Sequence, residues 1–190
     1  MKRLTAYQKA TRRIETDGIK HCTVLYGATG IVLWRKWGKR TEAINRLFGL
    51  SRSVWKDCAK DFDHSMIEMC EMETGIEIQN GDGKSWRDVF YLNGTIPESM
   101  SYEQMLYMRQ QQIKWIRPQV MACLMVALHR KYGFGFDRCA RIYQQIEEAS
   151  AEYGHDPKKI RRACQEITGI DVMDVITGKG EEDEQVRDRE

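Results

Sequence analysis

The sequence predicts a mainly α-helical protein: a single compact helical domain of about seven helices, with at most one short β-hairpin and a disordered acidic C-terminal tail. Three observations predict this fold class. Only three prolines interrupt the 190 residues, and the long segments between them favour helices. Apolar residues recur at intervals of three and four in most of these segments. Alternation of apolar and polar residues, which is typical of strands, occurs only around Ile76 and Ile78.

The N-terminal part of the chain predicts four helices. We expect them at residues 4–16, 19–37, 41–48 and 51 to about 70. Gly18, Gly38 and Gly49 separate them, because glycine disfavours the helix interior and takes the left-handed conformation of a helix end. Gly27 and Gly30 lie inside the second helix and lack the spacing of a phosphate-binding loop. They predict a small-residue surface where another helix approaches closely.

The C-terminal part predicts one long helix and two shorter ones. Residues 74–83 are the candidate hairpin, and residues 85–88 predict a small helix. Ser101 and Gln104 have the spacing of a capping box and begin a helix that extends to about Tyr132, with a kink expected at Pro118. A tight turn with aromatic anchors follows at residues 133–137. We expect a helix after this turn, with residues 142, 146, 149 and 153 on one face, and a last helix at residues 157–169. These helices belong to a domain of residues 1–177, which precedes a tail of residues 178–190.

Composition and local patterns exclude several protein classes. The longest apolar stretch, residues 22–34, has about 13 residues and is shorter than the ~20 that a membrane span needs. Residues 1–8 form no apolar signal segment, so we expect a cytoplasmic protein without membrane contact. No catalytic signature occurs, and we expect neither an enzymatic activity nor a cofactor. The six cysteines are scattered singly beside apolar residues, which predicts reduced, buried thiols rather than disulfides or a metal site.

Charge is divided into blocks along the chain although the net charge is only +2. Residues 1–60 carry a balance of +10 and residues 61–103 a balance of −8. Residues 104–146 return to +6, and residues 147–190 carry −6. Such segregation favours distinct surfaces, of which the positive ones suit phosphates and the negative ones suit a basic partner. The alternative is that the blocks neutralise one another within the fold.

Residues 41–60 form the best local motif: a helix, a turn at Gly49 and a second helix, all inside the most basic block. Glycine permits the left-handed conformation that such a corner needs. The second helix would then present polar and basic side chains to a DNA groove and its phosphates. The candidate DNA-binding residues are Arg46, Ser51, Arg52, Ser53, Lys56 and Lys60. Asn45 departs from the small residue usual in this motif, and helix–glycine–helix corners are also common without DNA binding.

Two further groups are candidate binding surfaces. Between residues 109 and 141, cations alternate with aromatic residues. This pattern predicts either a surface that binds single-stranded nucleic acid by charge and stacking, or a solvated helix face over aromatic core residues. These cations are Arg109, Lys114, Arg117, Arg130, Lys131, Arg138 and Arg141. Four carboxylates form a candidate acidic patch for a basic partner, the alternative being a solvated acidic face. They are Glu68, Glu71, Glu73 and Glu77.

Four segments are similar to those of a known group of proteins. They are LYGATGIVLW at residues 25–34, ETGIEI at 73–78, YMRQQQIKWIR at 107–117 and MACLMVALHRKYGFGFDRCARI at 121–142. The chain resembles small proteins of phages and mobile elements of Clostridia and related Firmicutes, over most of residues 1–173. Among these it resembles a family of anti-CRISPR inhibitors of the type II-A RNA-guided effector nuclease. The resemblance implies association with that nuclease, with or without guide RNA, and with duplex DNA, but it carries no site residues.

Two functional hypotheses follow. The first is a non-enzymatic inhibitor that binds the type II effector nuclease and blocks its DNA binding or cleavage. In this hypothesis the acidic patch meets a basic channel of the nuclease, and the basic N-terminal block adds DNA contact. The alternative is a helix-turn-helix transcriptional regulator of a mobile element that uses Arg52, Ser53 and Lys56.

Overall fold

A computed structural model describes residues 6–60, 66–78 and 101–178 of the chain. These ranges contain seven α-helices and no strand, which confirms the prediction of a mainly α-helical fold. The helices are α1 (Ala6–Trp37), α2 (Thr41–Lys60), α3 (Met66–Thr74), α4 (Tyr102–Tyr132), α5 (Phe136–Glu152), α6 (Pro157–Thr168) and α7 (Val172–Thr177). None of these seven combines the length and the apolar character that crossing a bilayer requires.

The core lies between the second half of α1 and the second half of α4. Residues 23–33 and 118–128 are buried without interruption, so neither segment keeps a polar face. α1 packs against α4, α5 and α6, while α4 packs against α1, α2 and α3. Removal of this apolar surface from water supplies the main stabilisation of the fold.

The glycines in the middle of α1 allow α6 to pack closely against it. A β-carbon on Gly27 would lie only 2.3 Å from Cγ2 of Ile160. A β-carbon on Gly30 would lie 2.9 Å from Sγ of Cys164. The predicted small-residue surface is therefore confirmed.

Two predicted helix breaks are wrong. α1 continues through Gly18 and α2 continues through Gly49, and neither glycine has a positive φ. Gly18 is buried, and a β-carbon there would lie 3.0 Å from Cδ1 of Ile116, so this glycine permits close packing instead of ending a helix. Across Gly49, the buried residues keep a helical period from Ile44 to Cys58. One continuous 20-residue helix buries that stripe, and the helix-turn-helix-like corner at residues 41–60 does not exist.

The second predicted helix of that motif was also expected to extend to about Cys70. α2 ends at Lys60 and α3 begins at Met66, with residues 61–65 outside the described ranges. In the candidate hairpin, residues 75–78 form no strand, and residues 79–83 lie outside the described ranges. The same is true of the small helix expected at residues 85–88 and of residues 179–190 of the tail.

The helix ends predicted in the C-terminal part are confirmed. Ser101 and Gln104 form the capping box, and α4 passes through Pro118 and stops at a left-handed Gly133. The Asp156 carboxylate accepts the first backbone N–H groups of α6. α7 was not predicted, although the carboxylate of Asp171 caps it in the same way.

Two helices, α3 and α6, end in the same local structure at residues 70–76 and 164–170. In each, the threonine hydroxyl donates to the cysteine carbonyl at 2.7 Å and accepts the isoleucine N–H at 3.2 Å. The glycine between them is left-handed, with φ of 74° and 77°. This cap turns the isoleucine back into the core, where 7% and 4% of its surface stay exposed. The shared Cys-x-x-x-Thr-Gly-Ile sequence is an internal similarity that sequence inspection missed.

Candidate functional site

A three-residue corner joins α1 to α2, and backbone hydrogen bonds fix it on both sides. Gly38 ends α1 with a left-handed φ of 60°. The N–H of Lys39 donates to the carbonyl of Leu33 at 2.9 Å, and the N–H of Ile44 donates to the carbonyl of Arg40 at 3.1 Å. Both corner cations therefore start from an ordered backbone.

Tyr132, the last residue of α4, lies beneath this corner. Its hydroxyl donates to the carbonyl of Ala43 at 3.2 Å. Nζ of Lys39 lies 4.3 Å from the centre of its ring and Nζ of Lys131 lies 5.9 Å from it, in a cation–π arrangement. Burial lowers the pKa of Lys131, and the nearby charge of Arg46 lowers it further. The lowered pKa follows in part from like charges held close together.

The turn between α4 and α5 extends this surface. The ring centre of Phe134 lies 5.3 Å from that of Tyr132 and 5.3 Å from that of Trp37. The guanidinium of Arg138 lies 5.5 Å from the Phe134 ring centre. Nε1 of Trp37 donates to Oε1 of Gln145 at 2.8 Å, which fixes the indole. Of the two predicted aromatic anchors of this turn, Phe134 is buried and Phe136 is exposed.

These elements together form what we call the basic–aromatic surface. We define it by Trp34, Lys39, Arg40, Arg46, Lys131, Tyr132 and Arg138. None of its five cations has a carboxylate partner within 4.0 Å among the described residues, and the two lysines instead face the Tyr132 ring. Unpaired cations near aromatic rings are suited to a polyanion such as nucleic acid.

Other cations of the two basic blocks do pair with acidic residues. Arg35 pairs with Glu152 at 3.6 Å, and Lys36 pairs with Glu148 at 3.4 Å. Arg130 pairs with Glu73 at 2.6 Å, and Arg117 forms an ion pair with Glu147. The blocks therefore neutralise one another in part. The five cations of the basic–aromatic surface are among those that this pairing leaves without a compensating carboxylate.

Ser51 was predicted to face DNA, and that prediction is wrong. The residue is fully buried, and its hydroxyl forms a 3.2 Å hydrogen bond with that of Tyr26. Burial raises the pKa of Tyr26, so this hydroxyl keeps its proton. Ser51 belongs to the buried stripe of α2 and contributes to the core.

The other candidate DNA-binding residues do not form one surface. Arg46 belongs to the basic–aromatic surface, whereas the guanidinium of Arg52 lies against the end of α7, 2.6 Å from where a β-carbon of Gly178 would be. Ser53 and Lys56 are exposed on α2. The side chain of Lys60 lies outside the described part of the structure.

A cleft of about 580 Å³ separates α2 from the segment that joins α6 to α7. Arg46, Gly49 and Arg52 line one side, while Asp171 and Asp174 line the other. Asp171 is already engaged, because it accepts two hydrogen bonds from Arg161, at 2.8 and 2.6 Å. These bonds lower the pKa of Asp171 and keep its carboxylate charged. Since Glu42 also lines the α2 side, cations and carboxylates are mixed in this cleft, and it lacks the uniform positive potential of a phosphate site.

The acidic patch is partly compensated. Glu73 accepts two hydrogen bonds from Arg130, at 3.0 and 2.6 Å. Glu68 and Glu71 are half-buried on α3, and Glu77 is exposed in the segment after it. In the ranges that the structure describes, these carboxylates form no metal-binding group with histidine or cysteine.

Sequence inspection also grouped Arg109 to Arg141 with aromatic residues. Lys131 and Arg138 belong to the basic–aromatic surface, but Arg130 is paired with Glu73 and the side chain of Arg109 lies outside the described part. Trp115 is 1% exposed, so it is a core residue and cannot stack on a ligand.

The cysteines are free thiols, as predicted. Five are buried and Cys22 is half-buried. Burial raises the pKa of Cys22 and of Cys139 to about 11, which keeps these groups protonated at neutral pH.

Sequence inspection missed the contribution of the corner itself. The run Trp34-Arg-Lys-Trp-Gly-Lys-Arg40 combines indoles and cations at a helix end, and this signal was visible in the sequence. No protein-family model, curated protein or solved structure matches the chain.

Proposed function

We propose that this protein acts by binding, and that it inhibits a type II RNA-guided effector nuclease by contacting nucleic acid on it. The choice of this nuclease as the target comes from the resemblance of the sequence to anti-CRISPR proteins. The proposed point of contact with nucleic acid is the basic–aromatic surface. Such a nuclease holds guide RNA, target strand and displaced strand together, so a small basic protein finds phosphates there.

The observation that carries the proposal is the set of five cations without carboxylate partners among the described residues. Cations that already form ion pairs gain little from a phosphate, because the existing pair must first be broken. Lys39 and Arg40 are also positioned by the ordered corner, which lowers the entropic cost of binding.

The number of cations on this surface predicts how the affinity for nucleic acid depends on salt concentration. If all five cations contact phosphates of a single strand, the slope of log affinity against log salt is about −3.5. Affinity then falls roughly 100-fold between about 50 and 200 mM salt. A helix-turn-helix regulator is not proposed, because α2 is continuous and Ser51 is buried.

The version in which the acidic patch meets a basic channel has less support. Glu73 already holds Arg130 through two hydrogen bonds, so a partner's cation would have to displace that guanidinium. Glu77 is exposed and makes the sharpest probe of this version.

The test is a cleavage assay with a guide-loaded type II-A effector, to which the purified protein is added before target DNA. We expect loss of cleavage at near-stoichiometric protein, and co-elution of the protein with the effector on a sizing column. Full cleavage at excess protein without co-elution would contradict the proposal.

Charge-reversal variants show which surface of the protein is needed to inhibit the nuclease. Arg46→Glu with Lys131→Glu should abolish inhibition, because both residues lie in the basic–aromatic surface. The matched control is Lys158→Glu with Lys159→Glu, which makes the same charge change at two exposed positions in the first turn of α6. If inhibition is lost only in Glu77→Lys, the acidic patch is the interface and the basic–aromatic surface is not.

A further inference from the structure

A second, smaller cleft of about 460 Å³ lies directly beside the α1–α2 corner. Trp34, Gly38, Lys39, Arg40, Thr41 and Glu42 line it. Its volume lies within the ~300–1,000 Å³ usual for sites that take small ligands. The lining therefore offers an aromatic wall and two cations in a space of molecular size.

Trp34 is the unusual residue of this cleft, because 37% of this large apolar residue is exposed although residues 23–33, directly before it in α1, are all buried. Gly38, which also lines the cleft, adds no side chain, and a β-carbon there would have no atom within 4 Å. The space beside the corner is therefore open, so a flat ligand can enter it.

Polar and charged residues line the same cleft as this indole. Lys39 and Arg40 have no carboxylate partner among the described residues, and hydrogen bonds hold their backbone in place. The hydroxyl of Thr41 donates to the carbonyl of Thr168 at 2.7 Å, which ties the start of α2 to the end of α6. Among the described lining residues Glu42 is the one carboxylate, so a phosphate would lie on the side of the two cations.

We propose that this cleft binds an unpaired nucleobase of single-stranded nucleic acid, stacked on Trp34, with the adjoining phosphates on Lys39 and Arg40. The inference rests on the proposed function, since it assigns the form of nucleic acid that the basic–aromatic surface takes. Every base has a flat face that stacks on an indole, whereas bases inside a duplex are already stacked and cannot reach it. An RNA-guided nuclease displaces one DNA strand, and that strand presents such bases.

The test compares ligands that differ only in their bases. Fluorescence anisotropy of the full-length protein is measured with labelled oligothymidine of about 12 nucleotides, a length within the ~4–16 nucleotides of single-strand sites. The comparison ligand is an abasic deoxyribose phosphate chain of the same length and charge. We expect oligothymidine to bind about 5- to 150-fold more tightly, the factor that one stacked base supplies. Equal affinities would overturn the inference, because charge alone would then explain binding.

Variants of the protein test whether Trp34 causes the preference for oligothymidine over the abasic chain. Trp34→Ala should remove the preference for oligothymidine while leaving the affinity for the abasic chain unchanged, and Trp34→Phe should keep most of it. The control is Tyr107→Ala, which removes another aromatic side chain, 61% exposed. It lies about 36 Å of helix away from Lys131. A preference that survives in Trp34→Ala, or that Tyr107→Ala also removes, would overturn the assignment. An equal loss for both ligands in Trp34→Ala would do so as well, since the indole would then hold the fold.

This inference and the proposed function fail in different ways. Inhibited cleavage together with equal affinity for the two ligands would refute stacking on Trp34 and leave the nuclease as the target. Base-dependent binding together with undiminished cleavage would refute the nuclease and leave the nucleobase site.

Discussion

Replacing Gly49 by alanine tests directly whether α2 is one helix. In a helix interior, alanine is better than glycine because it restricts the unfolded chain more and loses less entropy on folding. In a left-handed turn the same change is unfavourable, because the β-carbon crowds the backbone. The sign of the change in stability therefore distinguishes the continuous helix from a helix-turn-helix corner.

The structure also sets the magnitude. A β-carbon on Gly49 would have no atom within 4 Å, so neither a clash nor new packing contributes. Only the helix preference remains, and it predicts a gain of about 0.5–1 kcal/mol in the free energy of unfolding. For a chain of this length that gain raises the melting temperature by roughly 1–4 °C. Thermal and urea unfolding followed by circular dichroism at 222 nm would measure both quantities.

Gly38 provides the matched control, since a β-carbon there also meets open space while φ is 60°. Gly38→Ala should cost about 1–2 kcal/mol, because alanine is strained in the left-handed region. The two variants differ in backbone conformation and not in crowding. Destabilisation of Gly49→Ala by an amount similar to Gly38→Ala would refute the continuous helix and restore the turn.

Two further substitutions test the packing and the protonation of α1. Gly27→Ala should destabilise the protein by about 1–3 kcal/mol in urea unfolding, because its β-carbon would lie 2.3 Å from Cγ2 of Ile160. Adding Ile160→Leu, which lacks that methyl group, should restore part of the loss, and strictly additive effects would argue against the contact. Burial lowers the pKa of His21 from its ordinary value of 6.5, and the charge of Arg117 lowers it further. Stability should therefore fall as the pH drops below about 6.5, where the unfolded chain takes up the proton first, and His21→Gln should flatten this fall between about pH 6.5 and 5. Parallel stability curves for wild type and His21→Gln would count against that assignment.

Helix ends that depend on local chemistry were predictable from the sequence. The capping box at Ser101 and the Asp156 cap with Pro157 need only residues close in the chain. Glycine was less informative because its meaning depends on tertiary contacts. Gly38 ends a helix with a positive φ, whereas Gly18 lies inside one because Ile116 of α4 needs the space.

The candidate site was predictable only in part, for the same reason. Arg46 was chosen correctly as an exposed cation of α2, but Ser51 was assigned to the wrong face because a turn was placed at Gly49. The predicted break separated Ser51 from the buried stripe, whereas Ser53 and Lys56 are exposed as expected. Without the break, the helical period from Ile44 onward places Ser51 in the buried stripe.

The unpaired charge of the basic–aromatic surface follows from the direction in which α5 passes α1. Trp37 contacts Gln145 and Lys36 contacts Glu148, so the two helices are antiparallel, and the acidic end of α5 lies beside the last turn of α1. Continued in the same direction, this register places the α1–α2 corner beside the start of α5, where Arg138 adds a further cation. Block charges derived from the sequence cannot reveal this, because they do not specify which residues of two blocks meet. A one-turn shift in the register would place a glutamate near the corner and remove the feature on which the proposed binding depends.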